Sequence, residues 1–561
     1  MTLWGPISDL VPSNPIFDMS PIGFTTIAEY LERHGHRVRI VNLAVRMLLD
    51  PEFDAEKMLA SLDPAAFGID LHWLPHAHGA LEVAGIIKRI HPQTPVIMGG
   101  FSSSYFHEEL ISYPQTDYVI RGDSTEKPFL SLIEHIKSGA GIDSLKRVPN
   151  LSWKDAKGTP HFNPLTHVPY ELDDVSIDYR FSVNAVVRDR KLLNNLPFAK
   201  WRNYPIVAAL TCRGCTCNCT ICGGSSFASA HFLGREKPAF RSPETVAQDI
   251  RRICRFSRGP VFVIGDIRQP GMQYARIFLK SIQGIQNQVV LEFFWPVDRN
   301  FMEEIAGAVP RFVVEFSPES HDPEVRRYSG KPYSNDEIET SIESILAAGC
   351  GRADIFFMSG LPGQTPRSVM KSIDYCGKLL KRFDGDERLK LFISPLAPFL
   401  DPGCLAYEKP GQYGYKKFCS TLEDHRRALL GPSWKYILSY ETKWMNRDEL
   451  VQCTYSAALR LNRLKAEFGQ ADREQSQSTE ERILKAVSLM GRIDKLVAAN
   501  GAPQLQKELV GLRPMIEEAN DSTVCEKTEL DLPVTGMPFR VVRAAGLFIE
   551  DRVKNLGQRF R

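Results

Sequence analysis

Short apolar runs alternate with longer amphipathic stretches along most of the chain. Between residues 22 and 34 the apolar positions Ile22, Ile27, Tyr30 and Leu31 recur at helical spacing, and Gly35 ends the pattern, which predicts a helix. Residues 37–43, 66–71, 95–98 and 118–120 read as strands, with residues 81–90 as a helix among them. Strands alternating with helices predict a parallel, doubly wound α/β sheet whose ligands bind beyond the carboxyl ends of the strands. Asp70-Leu71-His72, Gly99-Gly100-Phe101-Ser102 and Arg121-Gly122-Asp123-Ser124 all fall on that crest.

The pattern then breaks. Pro149, Pro160, Pro164, Pro169 and Pro197 interrupt any helix, so residues 141–202 read as a linker that sets the spacing of two domains. Inside it, Leu151-Ser152-Trp153 faces Pro160-His161-Phe162 across Asp155-Ala156-Lys157-Gly158, which predicts a hairpin. Beyond the linker, apolar runs at 206–210, 261–264, 289–294, 312–316, 355–358 and 389–393 give six strands, with a helix at 243–254 between the first two. Past Gly403 the chain turns aromatic, with Tyr407, Tyr413, Tyr415, Phe418, Trp434, Tyr436, Tyr440, Trp444 and Tyr455. These residues suit either a wall over the strand ends or an ordinary packed cap. Residues 470–479 read as a polar joint, 480–498 and 503–519 as amphipathic helices, and 539–548 as a last apolar element, none with visible chemistry.

Composition narrows the class. A chain of 561 residues exceeds one core, and 43% apolar with 24% charged residues is ordinary for a globular protein. The net charge of +2 gives no reason to invoke nucleic acid. No apolar run reaches the ~18 residues that span a bilayer, and the start has no basic stretch before a long apolar segment, so a cytoplasmic protein is expected. In a reducing compartment crowded cysteines read as metal ligands rather than disulfides.

Five of the 12 cysteines lie between Cys212 and Cys222, directly after the strand at 206–210. The informative spacing is Cys215-x3-Cys219-x2-Cys222; three thiolates each hold one iron of a cubane and leave a fourth iron open. A structural zinc site is the competing reading, but it requires a fourth Cys or His and two separated Cys-x2-Cys pairs. Cys212 and Cys217 fall outside the pattern and read as spare thiols. The triplet resembles the signature of the radical S-adenosylmethionine (SAM) superfamily. That resemblance implies a 4Fe-4S cluster on Cys215, Cys219 and Cys222, whose open iron chelates SAM and whose electron releases a 5'-deoxyadenosyl radical. It also implies a partial (β/α)6 barrel over residues 203–403.

Further pieces fall in the superfamily's order. Gly265-Asp266 resembles the acidic motif that meets the SAM amino group, and Ser317-Pro318-Glu319-Ser320 resembles the ribose-binding Gly-x-Glu-Ser, with Ser317 in place of glycine. Ser359-Gly360-Leu361-Pro362-Gly363-Gln364-Thr365 is close to Gly-Leu-Pro-Gly-Glu-Thr, which marks Gly360 and Gln364 as SAM contacts. Ser394-Pro395-Leu396-Ala397-Pro398 and Asp401-Pro402-Gly403 resemble the segment that closes the barrel. Lys331 stands where relatives often carry a basic residue, but reads as an exposed lysine.

Ahead of the barrel, Pro21-Ile22-Gly23-Phe24, Gly35-His36-Arg37-Val38 and Pro95-Val96-Ile97-Met98-Gly99-Gly100 resemble the cobalamin-binding domain of one large branch of the superfamily. No G-x-G-x-x-G follows any strand there, which argues against a dinucleotide. The implied cobalamin contacts are Asp70, His72, Gly99, Gly100, Ser102, Gly122 and Asp123 within residues 1–140, a domain whose first strand is expected to be missing. Asp70-Leu71-His72-Trp73-Leu74-Pro75 only partly matches the Asp-x-His-x-x-Gly of histidine-ligated cobalamin proteins, since Pro75 replaces the glycine. The expectation is therefore that His72, His76 and His78 lie in a polar loop and that the cofactor is bound without a histidine, as in most of the branch.

The order of domains, with a helical cap at 404–470 and a helical region at 471–561, implies a methyltransferase. It would act on an unactivated carbon of an unknown organic substrate, fed by a flavodoxin- or ferredoxin-type electron donor. Radical cyclisation, ring contraction or carbon–carbon coupling by the same build is an alternative. A catalytically inactive cobalamin-binding sensor is another, which the complete cysteine triplet disfavours.

Overall fold

The fold is that of a computed structural model, which describes residues 22–50, 52–177, 201, 205–396, 399–499 and, further on, 508, 511, 512, 525, 527–532 and 534. Two sheets dominate. The first runs β1 (Phe67–Asp70), β2 (Val96–Gly99), β3 (Tyr118–Ile120), β4 (Leu151–Lys154), β5 (Pro160–Phe162) in that spatial order. β1 to β3 are parallel, and β4 and β5 are antiparallel. Val96, Ile97 and Met98 are all buried because β2 is covered on both faces. The helix Ala77–Ile90 lays Leu81, Ala84 and Ile87 on one side, while Ile97 turns to Ile120, Leu132 and Trp153 on the other.

Two expectations change here. The hairpin forms as predicted, but β4 pairs with β3, so the proline-rich segment extends the sheet instead of merely spacing two domains. Trp153, buried and bonded through its indole to Asn163 Oδ1 at 3.2 Å, anchors it. Residues 37–43 do not form a strand. Val38 and Ile40 keep the alternation and pack on Ala28, but among the described strands β1 pairs only with β2. The chain instead turns into the helix Leu43–Leu49, capped by Asn42, whose Oδ1 accepts from Val45 N at 3.1 Å.

After β6 (Val207–Leu210) come the short β7 (Cys212–Arg213) and β8 (Ala239–Phe240), which pair with each other. Then follow β9 (Val261–Ile264), β10 (Val289–Phe293), β11 (Phe312–Glu319), β12 (Arg352–Ser359) and β13 (Leu389–Pro395). The second sheet has six parallel strands in the order β13-β12-β11-β10-β9-β6, each next to its neighbour in sequence and joined by helical crossovers. Its edges, β6 and β13, stay apart, as a partial barrel requires. Val261, Val263, Leu291, Phe293, Val314 and Phe357 face the outer helices. On the inner face Phe262, Val290 and Val313 meet Leu532 from the far end of the chain.

Beyond the sheet, β14 (Tyr415–Lys417) and β15 (Tyr440–Thr442) form a small hairpin, and the helix Arg447–Glu467 packs on β13 and the helix Pro366–Arg382. Residues 470–479 are not a joint, because the helix Arg473–Ala499 already begins within them. Ser476 and Thr479 are buried, and Asn462 Nδ2 donates to Ser476 O at 2.8 Å, so small polar residues make the contact a periodicity count overlooks. The helix expected at 503–519 falls largely outside the described residues, and the apolar element at 539–548 wholly so. Phe357, fully buried in β12, is a test of the packing: Phe357→Ala should cost about 3–5 kcal/mol and lower the thermal midpoint, and an unchanged midpoint would contradict this core.

Candidate functional site

The cysteine loop leaves the end of β6 under tight backbone control. Thr211 Oγ1 donates to Ile264 O at 2.5 Å, and Arg241 Nη1 donates to Leu210 O at 3.1 Å. Backbone amides already point at two of the three sulfurs, Cys217 N at Cys215 Sγ (3.3 Å) and Gly224 N at Cys222 Sγ (3.4 Å). Gln269 accepts from the Cys215 thiol at 3.4 Å and from Thr216 N at 3.0 Å. Burial raises the Cys219 thiol to about 11, and burial with the Asp401 charge raises Cys222 to about 12, so both need a bound cation to become thiolates. Among the described residues the only trio of ligand atoms within 4.8 Å of one another is Asp70, His72 and His76. The three sulfurs are not in that group, so they stand farther apart from one another than this. Cys212 is buried, with its Sγ turned to Gly214 O at 3.6 Å, and takes no place in the triplet.

At the strand ends the expected SAM contacts divide. Asp266 is buried, and Arg268 takes both its oxygens (Nη2–Oδ2 2.7 Å, Nε–Oδ1 2.9 Å), with Phe294 N adding a bond at 3.0 Å. Little acceptor capacity remains there for an ammonium. One strand over, Glu292 takes Gly265 N at 3.1 Å on Oε2, its only hydrogen bond among the described residues. Burial raises its pKa. Glu292 was missed in the sequence, although an acid among the buried residues of β10 was a visible signal.

Glu319 sits at a bulge in β11 with φ +67°, a left-handed backbone uncommon for a glutamate. Its Oε1 lies 2.7 Å from Lys331 Nζ, while Oε2 is buried without a partner and so remains an acceptor at this crest. Lys331 is buried, contrary to expectation. Burial acts to lower it, but the Glu319 carboxylate outweighs that and holds it above its ordinary value. The turn carrying it braces the cysteine loop: Thr220 Oγ1 donates to Tyr328 O at 2.5 Å, and a Cβ at Gly330 would lie 3.2 Å from Asn218 O. Ser320 Oγ accepts from Asp322 N at 3.1 Å and so shapes the next turn. Gly360 (φ +91°) receives Tyr415 Oη on its carbonyl at 2.9 Å. Gln364 is fully buried and closes its own loop, accepting from Leu361 N and donating to Met358 O, both at 2.9 Å. Of the predicted contacts, Glu319 and Gly265 stay at the mouth, while Asp266, Ser320 and Gln364 serve the scaffold.

The crest of the first sheet faces the same mouth. Asp70 Oδ2 lies 2.6 Å from His72 Nδ1 and 3.3 Å from His76 Nδ1. Burial acts to raise Asp70, but the two imidazoles prevail and hold it at about 2. A Cβ on Gly100 (φ +117°) would stand 2.4 Å from His72 N and Cα, so this glycine admits the neighbouring loop rather than a ligand. Ser102 Oγ donates to His72 O at 3.3 Å. Gly99 is open, with nothing closer than 3.8 Å to its Cβ position, and Trp73 and Phe101 are 40% and 48% exposed, which suits a flat ligand. Trp73 packs on Phe399 at 5.6 Å, and its indole and the amide of Gly223, the residue after Cys222, both bond Asp401, the latter at 3.0 Å. His78 turns away, toward Glu82 and Arg426.

The third crest loop serves another purpose. Gly122 (φ +99°) donates to Ser104 Oγ at 2.9 Å. Asp123 is held through both oxygens by Arg235 (Nε–Oδ2 2.5 Å, Nη2–Oδ1 2.9 Å), and Glu126 is paired with Arg213 through Nη1 (2.9 Å) and Nη2. All four side chains are buried, and Arg213 is two residues from Cys215. These arginines, also missed in the sequence, tie the crest to the cysteine loop.

The architecture is a B12-type α/β domain whose crest is docked on a parallel barrel bearing a cluster loop. Family models for the B12 binding domain and the Radical SAM superfamily match residues 12–128 and 210–376. The chain is 23% identical over 404 residues to cytidylyl-2-hydroxyethylphosphonate methyltransferase from Streptomyces wedmorensis, covering 63% of this chain and 72% of that protein. It is 24% identical over 293 residues to hopanoid C-3 methylase from Methylococcus capsulatus, covering 51% of this chain and about half (50%) of that protein. The solved structure of the radical S-adenosylmethionine methyltransferase TsrM from Kitasatospora setae, with cobalamin and a [4Fe-4S] cluster bound, matches at TM-score 0.57 and 15% identity. That match covers 86% of this chain and 99% of TsrM. The chain thus joins a B12 binding domain to a domain of the Radical SAM superfamily.

Breaking the Arg213–Glu126 pair tests the tie. Arg213→Met should cost about 3–5 kcal/mol by stranding a buried carboxylate, and the double variant with Glu126→Leu should recover most of it. Thermal melts and iron bound per chain read both, and a harmless single substitution would refute the arrangement.

Proposed function

We propose that the protein is a cobalamin-dependent radical SAM methyltransferase that methylates an unactivated carbon of an organic substrate. The observation that supports this reading is the docking of the crest of β1 to β3 against the cysteine loop, through Asp401 and two buried ion pairs. The names of the two relatives and of TsrM, all methyltransferases or methylases, support the same reaction class. When bound, the cluster supplies the electron that opens the sulfonium of SAM and cobalamin supplies the methyl group.

The chain's own residues do the rest. Cys215, Cys219 and Cys222 hold the cluster, and Gln269 and the amides of Cys217 and Gly224 orient its loop. Glu319, fixed by Lys331, offers Oε2 to ribose hydroxyls, and Glu292 beside Gly265 offers an oxygen to the amino group. On the crest, Gly99, Trp73 and Phe101 offer the surface on which cobalamin rests. No helix among the described residues is long and apolar enough to cross a membrane. A cytoplasmic setting and a flavodoxin- or ferredoxin-type reductant complete the proposal.

The test is anaerobic. Enzyme reconstituted with iron, sulfide and cobalamin should form 5'-deoxyadenosine on reduction and move a labelled methyl group from SAM into product. The triple variant Cys215→Ala/Cys219→Ala/Cys222→Ala should lose the iron and form no detectable 5'-deoxyadenosine. Wild-type enzyme that forms 5'-deoxyadenosine but never transfers the label would exclude methyl transfer.

A further inference from the structure

The imidazole of His72 is a crest group that the surrounding protein holds firmly while one of its nitrogens stays free among the described residues. Its backbone is fixed by the glycine–serine loop: Ser102 N and Oγ both bond His72 O (3.2 and 3.3 Å), Ser103 N bonds Leu71 O (3.0 Å), and only a glycine at position 100 permits that approach. The ring is fixed as well. Nδ1 lies 2.6 Å from Asp70 Oδ2, and His76 meets the ring edge-on with centroids 4.9 Å apart.

A carboxylate only accepts, so Nδ1 carries the proton, and in the neutral ring Nε2 carries the lone pair. Among the described residues Nε2 has no hydrogen-bond partner, and the side chain is 52% exposed. An imidazole with one nitrogen on a carboxylate and the other free is how proteins present histidine to a metal, since the carboxylate fixes the tautomer, aims the ring and makes the free nitrogen a better donor. The position matters equally. His72 follows β1 at its carboxyl end, and the next residue, Trp73, touches Phe399 and bonds Asp401, which bonds Gly223 beside Cys222. A corrin lying between crest and barrel would have one face toward His72 and the other toward the cluster loop.

Resting on the function proposed above, we infer that His72 Nε2 is the axial ligand of cobalt on the crest side of cobalamin, with Asp70 as its positioning residue. This departs from the expectation of a cofactor bound without histidine. Pro75, in place of the glycine of the usual histidine-ligand motif, does not disturb the ring, because it lies within the short helical turn Leu74–His76 that follows His72.

The test is the electron paramagnetic resonance spectrum of the protein loaded with unlabelled cobalamin and reduced to the cobalt(II) state. Unlabelled protein should split each cobalt line into a triplet, from one nitrogen-14 nucleus. Protein made with nitrogen-15 histidine should give doublets instead. His72→Ala should lose the splitting yet retain cobalamin through gel filtration, and Asp70→Asn should keep it with a smaller coupling. The inference is overturned by absent splitting, by a triplet that survives histidine labelling and so belongs to the cofactor's own base, or by splitting lost in His76→Ala and not in His72→Ala. Retained cobalamin without histidine splitting leaves the proposed function standing and removes this inference alone. Failure to retain cobalamin at all removes both.

Discussion

Two buried arginine–carboxylate pairs decide how the halves of this protein meet. Arg213 and Arg235 flank the cysteine loop, and Glu126 and Asp123 come from the crest loop after β3. In a dry seam the attraction between such ions is largely offset by their desolvation, so the matched pairs add little net stability. A mismatch is different: any rotation of one half against the other strands four buried charges. The pairs therefore act on geometry, and the geometry they fix is the relation between the cysteine loop and the crest of the first sheet. Outer contacts repeat the theme on the cap, where Tyr105 reaches Glu408, Tyr113 reaches Glu423 (each 2.7 Å) and Arg426 reaches Glu82 (2.8 Å).

Much of this was legible in the chain. All six barrel strands fall where short apolar runs predict them, because a parallel strand covered on both sides is apolar over most of its length. The cysteine triplet was legible because three thiols at fixed short spacing have few other uses. Pairing was less so. The alternation at Val38 and Ile40 is real, yet a strand exists only if a neighbour accepts its backbone, and that neighbour is remote in sequence. The hairpin of β4 and β5 shows the converse, since local turn chemistry found it but not the sheet it joins. Likewise Ser476 and Thr479 looked like a solvated joint because burial of small polar residues depends on a partner helix, here Asn462 on Arg447–Glu467.

Motif positions were found more reliably than motif roles. Gly100 suits a close approach, but the backbone it admits is that of His72. Asp123 and Gln364 occupy expected places, and each is held by a neighbour, one by Arg235 and the other by its own turn. Lys331 read as a surface residue because nothing local reveals that Glu319 lies above it. A sequence shows which groups stand near a site. Only the three-dimensional set of partners shows which of those groups remain free to act.

The acids around the barrel mouth make the point quantitatively. Asp266 holds a guanidinium at 2.7 and 2.9 Å, so its charge is neutralised locally and an incoming ammonium would have to compete with a bidentate pair. Glu292 has one backbone amide and no cation in contact. It stands in register with Glu315, which in turn is in register with Asp354, and burial raises all three. A buried acid of this kind gains most from a cation, because binding removes the like-charge repulsion along the row together with its own desolvation cost. Across β9 and β10 the motif and the available charge have thus separated by one strand. The fold tolerates this because neighbouring parallel strands deliver their carboxyl ends to the same opening.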